Sequence, residues 1–189
     1  GAVLRPCELR ALVELVKLQQ ASLDDMITIG LDCLGTYSNV NYPRFAGDNG
    51  EEATLRFIGS AVKGETSFED FDIMAACMSC EYPSVPNADL SIGLIGMDTD
   101  SELLVEANTP RGEELFAKLE LKEAEEPEGR GEALDALIAS RAAFRDRMFE
   151  ETSEATSSLE KLNNYLANCI NCYNCRVACP VCYCKECVF

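Results

Sequence analysis

Gly1-Ala2-Val3-Leu4-Arg5-Pro6-Cys7-Glu8-Leu9-Arg10-Ala11-Leu12-Val13-Glu14-Leu15-Val16, followed after a polar stretch by Met26-Ile27-Thr28-Ile29-Gly30-Leu31-Asp32-Cys33, decides the fold. Gly1 to Arg5 reads as a short strand. Pro6 then opens a helix, because the fixed φ and missing N–H of proline suit a first helical turn. Leu9, Leu12, Val13 and Val16 recur at helical spacing as its apolar face. Met26 to Leu31 is a short apolar run bounded by Asp24, Asp25 and Asp32, the pattern of a buried strand. Strand, helix and strand in such quick succession make a βαβ unit, which predicts neighbouring parallel strands and a right-handed crossover.

Outward from this unit, the Gly-, Asn-, Tyr- and Pro-rich stretch Gly35 to Gly50 reads as loop. Glu51 to Val62 reads as a helix weakened by Thr54 and Gly59. Leu90, Ile92 and Leu94 alternate with Ser91 and Gly93 as a strand, and Leu103 to Val105 supplies another. Thr109 caps a further helix with Pro110 first and Glu113 and Glu114 in the opening turn; Leu115, Phe116 and Leu119 are expected to face inward. Lys122 to Gly131 is acidic, carries Pro127 and Gly129, and reads as a linker. Gly131 to about Asn168 reads as helix broken near Thr152 to Ser158.

The formal charge of -17 argues against nucleic acid or an anionic membrane surface as partner, since both are polyanions. Docking through complementary patches on other proteins is expected instead. No apolar run approaches the length of a membrane span, and Glu8 and Glu14 do not suit a signal peptide. The expected location is therefore the cytoplasm. The chain has no histidine, which removes the commonest general acid–base and every Ser–His or Cys–His pair. Hydrolytic chemistry is poorly provided for, whereas redox chemistry does not need the missing residue.

Eleven cysteines in a reducing compartment point to metal rather than disulfides. Seven of them, Cys169, Cys172, Cys175, Cys179, Cys182, Cys184 and Cys187, crowd the last stretch of the chain. The run Cys169-x2-Cys172-x2-Cys175-x3-Cys179-Pro180 has the spacing that wraps thiolates around a four-iron, four-sulfur cluster, a carrier of single electrons. A zinc site would use two separated knuckles and commonly histidine, which this tail does not offer. Cys175-x3-Cys179-x2-Cys182 also has the spacing of radical enzymes that cleave S-adenosylmethionine, but in those the motif precedes a barrel domain. In two-cluster ferredoxins the cysteine before proline serves the other cluster. Either Cys169, Cys172 and Cys175 hold one cube while Cys179 joins Cys182, Cys184 or Cys187 on a second, or there is one cube with spare thiols. Arg176 and Lys185 are the cations inside the tail, and Tyr165, Tyr173 and Tyr183 are its candidate shielding aromatics.

Cys7, Cys33, Cys77 and Cys80 form a second group. Taken singly, each reads as a small buried hydrophobe. Cys7 and Cys33, however, follow the first and second strands, at the sheet edge where α/β proteins bind ligands, and Cys7 lies in the first turn of a helix. Cys77-x2-Cys80 adds two sulfurs on one loop, completing a candidate metal site.

The stretches Arg5-Pro6-Cys7-Glu8-Leu9-Arg10, Ile29-Gly30-Leu31-Asp32-Cys33, Cys77-Met78-Ser79-Cys80, Ala88-Asp89-Leu90-Ser91-Ile92-Gly93 and Arg111-Gly112-Glu113-Glu114-Leu115 occur in this order ahead of the cysteine tail. Together they resemble the family of deazaflavin-coenzyme hydrogenase and dehydrogenase beta subunits, and the tail resembles its formate dehydrogenase branch. The resemblance implies an iron–sulfur flavoprotein subunit of an anaerobic oxidoreductase complex. Such a subunit takes electrons from a formate dehydrogenase or hydrogenase catalytic subunit and passes them to FAD, a deazaflavin or a heterodisulfide-reductase-type partner. It also implies that Cys7, Cys33, Cys77 and Cys80 ligate one cluster. Family members carry a further N-terminal region that helps form the flavin site. This chain starts inside the first strand and has no GxGxxG turn, so it alone is not expected to hold FAD, and no flavin residue is assigned.

The expected fold is α/β: a small parallel or mixed sheet with flanking helices, then a helical segment and a ferredoxin-like iron–sulfur tail. The expected division is a cluster-binding domain at 1–121, an acidic linker and helix at 122–158 and the cysteine-rich tail at 159–189. The expected cofactors are two or three four-iron clusters. The expected function is electron transfer as a complex subunit rather than catalysis alone, with no catalytic residue. Competing readings are a zinc-stabilised assembly module without redox activity and a complete flavoenzyme reducing a soluble deazaflavin or nicotinamide coenzyme.

Overall fold

A computed structural model describes residues 1–65, 67–68, 71–119, 121, 123–177 and 179. In chain order the elements are β1 (Ala2–Leu4), α1 (Pro6–Lys17), β2 (Thr28–Leu31), α2 (Asn41–Ala46) and α3 (Gly50–Ala61). A short antiparallel pair, β3 (Ser67–Phe68) and β4 (Phe71–Asp72), leads to α4 (Ala75–Met78), β5 (Leu90–Gly93), β6 (Leu104–Ala107) and α5 (Pro110–Phe116). The chain continues as α6 (Arg130–Ala155), α7 (Leu159–Tyr165) and α8 (Asn174–Val177).

The main sheet has the order β1-β2-β5-β6. Strand β2 runs parallel to both β1 (Val3 opposite Ile29) and β5 (Ile29 opposite Leu90), and β6 closes one edge antiparallel to β5. The sheet is mixed, and the first strand–helix–strand unit is parallel as its apolar pattern predicts. Pro6 stands in the first turn of α1, whose N-terminus is held by the Glu8 carboxylate, accepting from the Arg5 N–H (2.8 Å) and Arg5 Nη2 (2.7 Å). Leu9 is buried, while Leu12, Val13 and Val16 are half-buried. In α5 the Thr109 hydroxyl accepts from the Gly112 N–H, the expected cap.

Three apolar groups fill the interior. Leu34, Ile95 and Leu137 join the carboxyl ends of β2 and β5 to α6 and, through Ala61 and Val62, to α3. Tyr37, Phe45 and Ile73 pack α2, α3 and the β4–α4 segment together. Leu9, Val85 and Ala88 seat the loop before β5 on α1.

Some expectations are corrected. The stretch read as loop from Gly35 to Gly50 contains α2, because Pro43 falls in a first helical turn where it is tolerated and Phe45 supplies a buried anchor. Strand β2 starts at Thr28 rather than Met26, and β6 runs to Ala107. Leu119 is exposed rather than inward, since α5 ends at Phe116. Helix α6 begins at Arg130 and breaks before Ser158, which caps α7 by accepting from the Lys161 N–H. Among the described residues no helix is long and apolar enough to cross a membrane.

Candidate metal centre

The parallel pairing of β1 with β2 puts Cys7 and Cys33 just beyond the same end of neighbouring strands. Cys7 is the second residue of α1 and is exposed. Beside it lies a surface groove of about 420 Å³ bordered by Arg10, Glu14 and Asn87. Cys33 is half-buried, and its N–H donates to the Pro83 carbonyl at 2.7 Å. That bond draws the 80–88 segment across the sheet edge. The approach needs Gly30: a Cβ there would lie 2.4 Å from Val85 Cβ and 3.0 Å from Ala88 Cβ.

Cys77 and Cys80 sit on and just after α4, both half-buried, with the Cys80 N–H donating to the Cys77 carbonyl at 3.2 Å. Gly35, at φ +100°, brings the chain following Cys33 against Cys77; a Cβ on it would lie 3.5 Å from Cys77 Cβ. Burial pushes the Cys33 thiol up, and the Cys77 and Cys7 sulfurs push in the same direction. The Gly35 N–H bonded to Cys33 and the charge of Arg141 oppose the rise without reversing it. Cys7 and Cys77 thus lie near enough to Cys33 to act on its charge, and the backbone turn brings Cys80 back onto Cys77.

Arginines line the rim, two of them paired with carboxylates, Arg5 with Glu8 and Arg145 with Glu81. Arg5 is held firmly charged, chiefly by its hydrogen bond to Glu8 and with smaller contributions from Cys7 and Cys33. Arg10 stacks over Tyr82 with its guanidinium carbon 4.2 Å from the ring centroid. Arg145 of α6 pairs with Glu81, the neighbour of Cys80. Arg141, 2% exposed, donates from Nη2 to the Cys33 carbonyl at 3.2 Å and from Nη1 to the Cys80 carbonyl at 3.5 Å. Its Nε is buried without a hydrogen-bond partner among the described residues.

Four thiols, a peptide N–H on one sulfur and a buried guanidinium with donors to spare suit a sulfur-rich, net-anionic group. Among the described residues no three His, Cys, Asp or Glu side chains converge closely enough to hold a single metal ion. A single ion needs its ligands converged on one point, whereas a cube takes its ligand sulfurs at separated corners.

In the tail, Cys169, Cys172, Cys175 and Cys179 are all exposed. The backbone is left-handed at Asn171 (φ 54°) and Tyr173 (φ 58°), so it curls between the first three cysteines before α8. Tyr165 and Tyr173 are about half exposed, at 57% and 50%. Cys182, Cys184 and Cys187, with Tyr183, Lys185 and the Arg176 side chain, lie outside what the structure describes. Reasoning from sequence passed over Arg141. Its signal is visible in retrospect, since Leu134, Leu137 and Arg141 share one face of α6 and an arginine there interrupts an apolar stripe.

Residues 1–128 match the family model for the C terminus of the coenzyme F420 hydrogenase/dehydrogenase beta subunit. The chain is 27% identical to the "F420-dependent formate dehydrogenase 1 subunit beta" of Methanococcus maripaludis, over 97% of this chain and 54% of that protein. It is also 27% identical to the "F420-dependent formate dehydrogenase subunit beta" of Methanocaldococcus jannaschii, with the same shares covered. The chain thus spans about half the length of the curated relatives it matches. With the matched region running from β1 through α5 and taking in all four cysteines of the sheet edge, this chain belongs to the coenzyme F420 hydrogenase/dehydrogenase beta-subunit family.

Proposed function

We propose that this chain is the iron–sulfur electron-transfer part of a formate dehydrogenase beta-like subunit, working inside a multi-subunit redox complex. The observation that carries the reading is the nearness of Cys7 and Cys77 to Cys33, with Cys80 turned back onto Cys77, at one sheet edge where Arg141 holds the Cys33 and Cys80 carbonyls. A four-iron cluster bound there would accept and release single electrons. The chain's own residues then have definite tasks. Cys7, Cys33, Cys77 and Cys80 are the proposed ligands of this site. The Gly35 N–H stabilises charge on the Cys33 sulfur. The loop from Cys80 to Ala88 is pinned against β2, so the ligand segments are positioned by the sheet rather than by metal alone.

The tail supplies the second stage. Cys169, Cys172 and Cys175 are proposed ligands of one cube, with Cys179, Cys182, Cys184 and Cys187 completing it or forming another. Because the first four are exposed, the tail is the end at which another protein can approach closely. The relatives' names support formate as donor and the deazaflavin coenzyme F420 as acceptor; FAD or a heterodisulfide-reductase-type subunit are alternative stations within the same proposal. The division into 1–121, 122–158 and 159–189, and a cytoplasmic setting, belong to the same proposal.

The test is anaerobic purification with iron, sulfide, zinc and flavin analysis and identification of co-purifying subunits. The expected protein is brown, with broad visible absorption, and Cys33→Ala removes about four irons, one cube's worth. A colourless, zinc-loaded protein, or a Cys33→Ala protein with undiminished iron, would overturn the assignment.

A further inference from the structure

Two arginines of α6 are almost wholly buried, and they differ in one respect. Arg130, 3% exposed, is neutralised by Asp32, itself 4% exposed, through a 2.9 Å ion pair. Arg141, three turns further along the same helix face, forms no ion pair among the described residues and touches only peptide carbonyls. A buried guanidinium with no anionic partner is strongly unfavourable, so a burial of this kind calls for a counter-charge. The carbonyls that Arg141 holds are those of Cys33 and Cys80, two of the proposed ligands, and its Nε is a further donor without a partner. An assembled four-thiolate site is a net anion, because the thiolates outweigh the positive core.

We infer that Arg141 is the positioning residue and buried counter-charge of the Cys7–Cys33–Cys77–Cys80 site, raising that site's reduction potential. This rests on the reading that the four cysteines hold a cluster. Reduction adds one electron and so one negative charge, which a fixed adjacent cation favours. Bonding to two carbonyls from separate segments also keeps the guanidinium in place in both oxidation states. The Arg145–Glu81 pair, one helical turn on, has its own carboxylate and is not assigned this role.

The experiment is an anaerobic redox titration of the full-length protein, with dithionite as reductant and mediators, followed by electron paramagnetic resonance. Cys77→Ala identifies the signal of this site by its loss, separating it from the tail. Arg141→Met is expected to keep the iron content but shift the reduction equilibrium of that signal by about tenfold toward the oxidised form, about 59 mV for one electron. Arg141→Lys, which keeps the charge, is expected to recover most of the shift. If Arg141→Met does not accumulate folded, Arg141→Lys and Arg141→Gln give the same charge comparison. Equal potentials in the charged and neutral variants would overturn the counter-charge role while leaving the cluster assignment intact. A wild-type signal and iron content untouched by Cys77→Ala would overturn the assignment and the inference together.

Discussion

Asp89 connects three parts of the sheet with one carboxylate. Oδ2 accepts from the Thr28 N–H (2.8 Å) and the Thr28 hydroxyl (2.9 Å), and Oδ1 accepts from the Thr109 hydroxyl (2.7 Å). The Asp89 N–H donates back to Thr28 Oγ1, and its carbonyl accepts from the Asn108 N–H. Burial alone would push this carboxyl up. The hydrogen bonds from Thr109 and Thr28, with the charge of Arg111, outweigh burial and hold it below the ordinary carboxylate value. Its contribution to stability is therefore complete above the unfolded value of about 3.9 and is lost as pH falls through the lower folded value. Asp89→Asn is expected to cost about 1–3 kcal/mol at pH 7, with the difference from wild type shrinking on acidification below about pH 4. Urea titrations across pH measure this; a pH-independent difference would contradict it. The Thr109 cap was legible in the sequence because capping is local. The Asp89–Thr28 link was not, since its partners lie far apart in the chain and hydrophobic periodicity says nothing about which threonine meets which aspartate.

Helix α6 illustrates the same limit for a whole element. Its existence and an interruption near Thr152 to Ser158 were readable from the sequence, but its attachment was not. Leu134 and Leu137 give it only a thin apolar stripe, and the stripe is completed by Arg130 and Arg141. Arg130 Nη1 donates to Asp32 Oδ2 (2.9 Å) and the Ile95 carbonyl (2.7 Å), while the same Asp32 oxygen accepts from the Leu94 and Ile95 N–H groups. This is a buried, hydrogen-bonded ion pair, and removing either partner strands the other. Arg130→Met and Asp32→Asn are each expected to destabilise by about 3–5 kcal/mol, and the double variant by less than the sum. Hydrogen exchange should report the loss first in the opening turns of α6. Additive costs would show that the pair is not the attachment. The β3–β4 pair and α2 escaped sequence reading for a simpler reason: two-residue strands and a six-residue helix carry too little periodicity to register.

The molecule as a whole is strongly acidic, yet it places arginines beside its sheet-edge cysteines, while Cys169, Cys172, Cys175 and Cys179 of the tail are exposed. Both cysteine groups stand out in the sequence as candidates, the tail from spacing and the other from strand ends. The arginine surround needed the fold, because its members come from α1 and α6. Beyond Ser158 the described hydrogen bonds are local or return only to the end of α6, and Leu159, Leu166 and Ile170 are 87%, 53% and 83% exposed. The contacts described for the start of the tail, Lys161 Nζ to the Glu154 carbonyl among them, seat it on the end of α6. Ending the chain after Ser158 is therefore expected to leave the stability of the remainder within about 0.5 kcal/mol of the full chain, the range typical of surface changes. The iron of the sheet-edge site should stay, and the iron lost should count the tail's cubes, about four atoms for one and about eight for two. Seven tail sulfurs make this difference informative, since a loss of about eight requires a ligand from outside the tail. Circular dichroism, thermal melting and iron analysis of the shortened protein under anaerobic conditions decide it. A shortened protein that loses all its iron, or no longer melts cooperatively, would show that the tail is part of the body's own architecture.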